Sequence, residues 1–127
     1  MLELNNLTDY NVDNLNLLRQ ITNSQTDRPV ELTICYDEQM RDINEESRGI
    51  DKSTDVLSFP VSIDFEPNKA SHIPLGSIVI NIDKAYKKAQ VLSHATDDEL
   101  CLLYIHGLLH ILGFDHETDN GEMREEE

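Results

Sequence analysis

The chain has 127 residues, a formal net charge of −15 and two cysteines. A chain of this length predicts a single domain over residues 1–127 that buries roughly two-thirds of its unfolded surface. The excess of acids argues against a general nucleic-acid-binding protein and against DNA as a partner, because nonspecific affinity comes mainly from Lys and Arg contacts to phosphates.

The first half of the chain predicts two strands and two helices. Residues 1–7 are compatible with an edge strand, and a weak helical period of apolar residues predicts a helix over 12–23. ELTICY at 31–36 alternates and is β-branched, which predicts a strand. Asp37 is a candidate capping residue for a helix that continues to about residue 47.

The second half begins with two more strands and a helix. DVLSFPV at 55–61 predicts a strand, LGSIVINI at 75–82 predicts another, and we expect them to pair through the long loop between them. The segment from Asp83 to about Ser93 predicts a helix with lysines on its solvent side. These elements together predict an α+β fold.

The last predicted helix has the clearest boundaries. Thr96 and Glu99 have the spacing of a capping box, which places the helix start at Asp97. Gly113 tolerates the left-handed conformation that ends a helix, so the helix is expected over 97–112. Apolar residues cover most of its circumference, which predicts burial nearly all round with one polar edge.

Charge and hydropathy limit where this protein acts. The most apolar run, residues 101–114, is shorter than the ~20 residues of a membrane span, and no signal peptide is apparent, so we expect a soluble cytoplasmic protein. Lys84, Lys87 and Lys88 lie in a locally basic stretch, whereas residues 115–127 contain seven acids and one Arg. A polyanion is therefore expected to bind locally, at a metal and a small basic patch.

Three histidines near the C-terminal end have the spacing of a metal site. His106 and His110 stand one helical turn apart on one face, and the chain reversal at Gly113 allows His116 to return as a third donor. Three neutral imidazoles and one open position suit catalytic zinc, and nickel is a possible substitute at imidazole ligands. Two histidines at this spacing in an apolar helix are otherwise often hydrogen-bonded core residues.

The spacing H-x3-H-x2-G-x2-H is also that of the metzincins, except that Gly107 replaces their catalytic glutamate. This predicts a zincin-like metal-bearing helix without a peptidase base. We hypothesise that the glycine opens the metal to a phosphodiester, since a carboxylate at position 107 would repel and crowd an anionic substrate. Asp115 and Glu117 flank His116 and are either acceptors for an imidazole N–H or solvated acids.

Two main motifs and one strand segment of the sequence resemble a known family. HGLLHILGFDH at 106–116 looks like the H-G-x-L-H-L-x-G-[YF]-D-H signature of the YbeY family, bacterial metal-dependent endoribonucleases. TDVLSFP at 54–60, with Arg48 six residues before it, resembles the family's Asn-x-x-x-Arg segment leading into T-D-V-L-S-F-P. LGSIVI at 75–80 resembles its L-G-D-I-x-I strand, although Ser77 replaces the usual acid.

The resemblance implies a four-stranded mixed sheet packed against helices, with zinc held by His106, His110 and His116. It also implies cleavage of single-stranded RNA in ribosomal RNA processing, maturation of the small-subunit 3′ end and ribosome quality control, with the ribosome or small-subunit proteins as partners. Arg48 matches the family's functional arginine, and its planar fork suits a phosphodiester. Without the resemblance, a surface ion pair of Arg48 with Glu45 or Asp51 is slightly favoured.

Two other functions fit parts of this pattern. A metallopeptidase shares the histidine spacing, but Gly107 supplies no general base, a contribution worth roughly 10² to 10⁴ in rate. A non-catalytic, metal-stabilised ribosome-assembly factor is compatible with the acidic surface, which could dock on a basic ribosomal protein. The leading hypothesis is the zinc-dependent endoribonuclease.

Overall fold

The structure is a computed structural model that describes residues 1–61 and 73–113. Within these residues, strands and helices follow one another as an α+β chain, as predicted. The elements are β1 (Leu2–Asn6), α1 (Leu15–Gln25), β2 (Val30–Cys35), α2 (Asp37–Arg48), β3 (Val56–Pro60), β4 (Gly76–Asn81), α3 (Ile82–Leu92) and α4 (Thr96–Ile111).

The four strands form one mixed sheet in the order β1-β2-β4-β3. The strands β1, β2 and β4 are parallel, whereas β3 runs antiparallel to β4. The predicted pairing of the two strands that flank the long loop is therefore confirmed, as is the edge position of β1. Because β2 and β4 are central, their Val- and Ile-rich sequences are buried, as expected for strands covered by helices.

Alternation along the strands divides the core between the two faces of the sheet. Leu32, Ile34, Ile78 and Ile80 belong to the larger cluster, which includes the apolar side of α4. A smaller cluster on α2 and the strands contains Cys35, Met40, Leu57 and Val79. Among the described residues, the largest fully buried side chain is Tyr104 of α4, and its hydroxyl is hydrogen bonded to Thr22 of α1. The helix α4 is thus fixed between α1 and the sheet.

Both cysteines are free and buried, as predicted. Burial raises the pKa of the Cys35 thiol to about 11, and burial also raises the pKa of Cys101. A raised thiol pKa means little reactive thiolate at neutral pH. The two thiols are therefore core residues.

The predicted caps of α2 and α4 were wrong in detail. The N-cap of α2 is Tyr36, whose backbone N–H donates to the Gln39 side chain at 2.9 Å. Asp37 is instead the first residue of the helix. The helix α4 begins at Thr96 after the N-cap Ala95, whose N–H donates to Asp98 at 3.3 Å.

Glu99 does not complete a capping box because it has another partner. Its Oε1 lies 3.0 Å from Nε2 of His94, in the loop before α4. The side chain of Asp98 instead accepts the hydrogen bond from the N-cap backbone N–H in the first turn of α4.

The prediction that α4 is buried nearly all round was wrong on one side. Leu102 and Leu109 are 55% and 41% exposed, although Leu100, Tyr104 and Leu108 on the opposite side are buried as expected. The described part of the chain packs against the sheet side of α4. In residues 1–61 and 73–113, every helix is too short or too polar to traverse a bilayer.

Candidate functional site

A cleft of about 380 Å³ lies between the end of α2, the segment that leads into β3, and the last turns of α4. The cleft brings together three of the four predicted site residues, Arg48, His106 and His110. A long stretch of chain separates the arginine from the imidazoles, so only the tertiary fold makes them neighbours. The other residues of its wall are Asn44, Ile50, Lys52, Ser53, Thr54, Asp55, Val56, Leu57 and Ser58.

The two imidazoles stand where the helical spacing predicted. His106 is exposed and His110 is half-buried on the cleft side of α4. Gly113 has a φ of 90° and its N–H donates to the His110 carbonyl, so the helix ends at this glycine as predicted. The third candidate ligand, His116, lies outside the described residues, as do Asp115 and Glu117.

The donor set fits a zinc ion as far as the structure describes it. Two imidazoles one turn apart open into a single cleft, which is the arrangement that two ligands of one ion require. Residues 1–61 and 73–113 contain no group of three potential ligands, so a complete site needs a donor from elsewhere in the chain. The ligand set His106, His110 and His116 remains a prediction.

Arg48 occupies the last position of α2, where a cation is favoured by the helix dipole. Gly49 follows with a φ of 71° and caps the helix through its N–H. The alternative ion pair with Asp51 is contradicted, because Asp51 pairs with Arg41 at 2.7 Å. Arg48 forms no ion pair with any other described residue. Its guanidinium is therefore available to a ligand in the cleft.

Asn44 begins the Asn-x-x-x-Arg pattern that ends at Arg48, but it was not among the predicted site residues. It is 4% exposed, and its Nδ2 donates to the carbonyl oxygen of Lys52 at 2.9 Å. Its Oδ1 is buried and has no hydrogen-bond partner among the described residues. Asn44 thus ties α2, one turn before Arg48, to the opposite wall of the cleft. The available signal was the Asn-x-x-x-Arg pattern, which places Asn44 one helical turn before Arg48.

A polar network holds the wall of the cleft at residues 53–55. The buried Asn81 donates through Nδ2 to Asp37, Ser53 and the Thr54 carbonyl, at 2.8, 2.9 and 3.1 Å. Ser53 also donates to Asp37 at 2.6 Å. The hydrogen bonds from Ser53 and Asn81 lower the pKa of the Asp37 carboxyl. The wall is thereby fixed to α2 and to the end of β4.

Gly107 faces the sheet and not the cleft. A Cβ at this position would lie 2.9 Å from Cγ2 of Ile78, with Cγ1 and Cδ1 of the same residue at 3.3 and 3.4 Å. Ile78 is fully buried, so it has little freedom to move away. The hypothesis that glycine opens the metal to phosphate was wrong, because the glycine is required by the close approach of α4 to β4.

The sequence matches the family described as Endoribonuclease YbeY over residues 3–127. This chain belongs to the YbeY family. The match covers nearly the whole chain, including the strands, the candidate ligands on α4 and His116. The resemblance predicted from two short motifs is therefore confirmed across the fold.

Individual YbeY relatives and one solved structure agree with this membership. The Endoribonuclease YbeY of a Nitratiruptor species is 53% identical over 124 residues, covering 98% of this chain and 82% of the relative. The Endoribonuclease YbeY of Campylobacter fetus is 54% identical over 111 residues, covering 87% of this chain and 78% of the relative. The solution structure of TM1509 from Thermotoga maritima has a TM-score of 0.66 and covers 98% of this chain and 83% of its own. At 24% identity, this last likeness concerns the fold alone.

Proposed function

We propose that this protein is a zinc-dependent endoribonuclease that cleaves single-stranded RNA. The observation that carries the proposal is the shared cleft, whose lining contains Arg48, His106 and His110. A cation of fixed charge in the same cleft as two imidazoles suits an anionic phosphodiester. Membership in a family whose relatives are named endoribonucleases supports the same reaction.

The roles of the residues follow from their chemistry. His106, His110 and His116 would hold the ion, which when bound supplies Lewis-acid stabilisation of charge on a phosphoryl oxygen. Arg48 binds two phosphate oxygens through its planar fork and offsets the charge that grows in the transition state. Asn44, hydrogen bonded to the Lys52 carbonyl, keeps the end of α2 at a fixed distance from the opposite wall.

In the cell, we infer that this activity serves ribosomal RNA processing, including maturation of the small-subunit 3′ end, and ribosome quality control. The partners would be single-stranded segments of ribosomal RNA and the ribosome or its small-subunit proteins, in the cytoplasm. The names of the relatives support the endoribonuclease class. A small cleft with one exposed arginine is also compatible with a flexible single strand, whose phosphates can enter one at a time.

A metallopeptidase is the less favoured reading of the same histidines. Position 107 carries no carboxylate, and its Cα–Cβ direction leads to Ile78 at 2.9 Å. A base placed there could not reach the cleft without disturbing the buried β4. A non-catalytic assembly factor would bind metal in the same way but would not cleave RNA.

One set of incubations tests these three functions. Metal-loaded protein is incubated with a single-stranded RNA, the same RNA in a duplex, and casein, each with and without a chelator. We expect cleavage of the single-stranded RNA alone, abolished by the chelator. Casein cleavage would indicate a peptidase, and metal binding without any cleavage would indicate an assembly factor.

A further inference from the structure

A second cleft, of about 500 Å³, lies directly beside the candidate active site. It shares Ser53, Thr54 and Asp55 with the first cleft, so the two are separated by a single wall. We call it the lysine cleft, after its remaining lining residues, Lys84, Lys87, Lys88, Val91, Glu99 and Leu103. None of the candidate metal ligands on α4 contributes to it.

The three lysines give this cleft a positive side in a chain of net charge −15. Lys87 and Lys88 follow Lys84 by three and four residues on α3, so their Cβ atoms stand roughly 5–6 Å from that of Lys84, and all three line the cleft. The Nζ of Lys84 lies 4.0 Å from Oδ1 of Asp37, whose negative charge partly offsets that of the lysine. Lys87 and Lys88 are exposed and pair with no acid among the described residues. Their charge is available to an anionic ligand.

The rest of the lining explains why a nucleotide fits better than a simple anion. Val91 is 78% exposed on α3, and the buried Leu103 of α4 forms part of the same cleft. The carboxylate of Glu99 is 7% exposed and is held by His94 at 3.0 Å. A nucleotide has both chemistries, because its phosphate suits the lysines and its base or ribose can cover the apolar side chains.

We propose that the lysine cleft holds the RNA segment next to the bond that is cleaved. The strand would pass from the cleft of Arg48 over the Ser53–Asp55 wall and lay its flanking phosphates along Lys87 and Lys88. This inference rests on the proposed endoribonuclease function and adds a substrate requirement. Efficient substrates must extend several nucleotides beyond the cleaved step, as single strands that can follow the bend between the clefts.

Binding without cleavage tests the lysine cleft directly. A fluorescent single-stranded RNA of about 12 nucleotides, within the usual range of single-strand sites, is titrated with the protein in the presence of a chelator. Lys87→Gln combined with Lys88→Gln should weaken binding about tenfold at 0.15 M salt and reduce the slope of log affinity against log salt by about 1.4. Arg19→Gln, which removes a cation from the exposed side of α1, should leave both unchanged.

A second pair of variants, each adding one acid, tests the Val91 side of the lysine cleft. Val91→Glu places an acid in the lysine cleft, whereas Leu17→Glu places the same acid at an exposed residue of α1 that lines neither cleft. An acid at position 91 stands three and four residues after Lys88 and Lys87, close enough to offset their charge. We expect Val91→Glu to weaken RNA binding severalfold more than Leu17→Glu. Circular dichroism confirms that both variants are folded.

The outcomes separate this inference from the proposed function. Unchanged affinity and salt slope in the double lysine variant, or no RNA binding by the parent, would overturn the lysine cleft. With metal restored, the lysine variant should cleave a dinucleotide at the parental rate but a longer RNA with a raised KM. If the parent binds RNA through the lysines but cleaves neither substrate, the endoribonuclease proposal fails, and of the inference only RNA binding by the lysine cleft stands.

Discussion

Gly107 of α4 packs directly against Ile78 of β4, where the helix of the candidate ligands meets the sheet. A methyl group added at Gly107 would lie 2.9 Å from Cγ2 of Ile78. That Cγ2 belongs to a β-branched side chain with a stiff χ1 angle, in a fully buried position. The glycine therefore sets the depth at which α4, and with it His106 and His110, sits on the sheet.

We predict that Gly107→Ala lowers the free energy of unfolding by about 1 kcal/mol. The better helix propensity of Ala should raise the free energy of unfolding by about 1 kcal/mol. Overpacking the core against Ile78 should lower it, since such overpacking commonly costs about 1–3 kcal/mol. Chemical denaturation measures the difference. Ile78→Ala should reverse the sign, making Gly107→Ala neutral or stabilising in that background. An equal cost in both backgrounds would contradict the contact.

Removal of one predicted ligand should release the metal. We expect one zinc ion per chain in protein purified without nickel resin, since nickel can occupy imidazole sites. His110→Ala should lose most of it, measured by elemental analysis. His94→Ala is the matched control, because its imidazole is bonded to Glu99 and does not line the cleft. Full occupancy in His110→Ala would refute the ligand assignment.

Arg48→Ala should slow RNA cleavage while leaving the fold and metal content unchanged. Loss of one preorganised donor to transition-state charge costs about 2–4 kcal/mol, seen as a decrease in kcat/KM. Arg41→Ala is the control on the same helix, because Arg41 pairs with Asp51 outside the cleft. Parental kcat/KM in Arg48→Ala would remove Arg48 from the reaction.

Asn44 should act on the reaction through the position of Arg48. Asn44→Asp removes the donor to the Lys52 carbonyl and places a charge in a buried position, so we expect a loss of about 1–3 kcal/mol in stability. Asn44→Ala should be milder, because it also removes the unpaired oxygen. If Asn44 is a positioning residue, kcat should fall in both variants at temperatures where they remain folded. An unchanged kcat in folded Asn44→Ala would confine this residue to a structural role.

The Asp37 network predicts a decrease in stability in acid. The folded-state pKa of Asp37 is lowered by hydrogen bonds from Ser53 and Asn81. The contribution of the Asp37 carboxylate to the free energy of unfolding is therefore fully present above the pKa of Asp in the unfolded chain, about 3.9. It is lost as the pH falls through the lower pKa of the folded state. Urea midpoints between pH 5 and pH 2.5 should decline less steeply in Asp37→Asn than in the parent. Identical profiles would show that the network does not couple to protonation.

Local patterns in the sequence were sufficient to predict most of the elements and part of the candidate metal site. Alternation and β-branching located the central strands, and the helical repeat put His106 and His110 on one face, because both periodicities are properties of a few consecutive residues. The left-handed Gly113 ended α4 for the same local reason. The capping of α4 was misassigned because two acids, Asp98 and Glu99, competed for one role.

Only the tertiary structure decided which distant residues meet. From the sequence, Arg48 was compatible with a surface ion pair to Asp51. In the structure Asp51 pairs with Arg41 instead, and the end of α2 lines the same cleft as α4. The tertiary structure also places the Ser53–Asp55 wall between the two clefts. It brings the carboxylate of Glu99 within hydrogen-bond distance of His94. Gly107 of α4 is the clearest case, because it is required by a contact with Ile78 of β4. The spacing of residues along the sequence does not reveal such a contact.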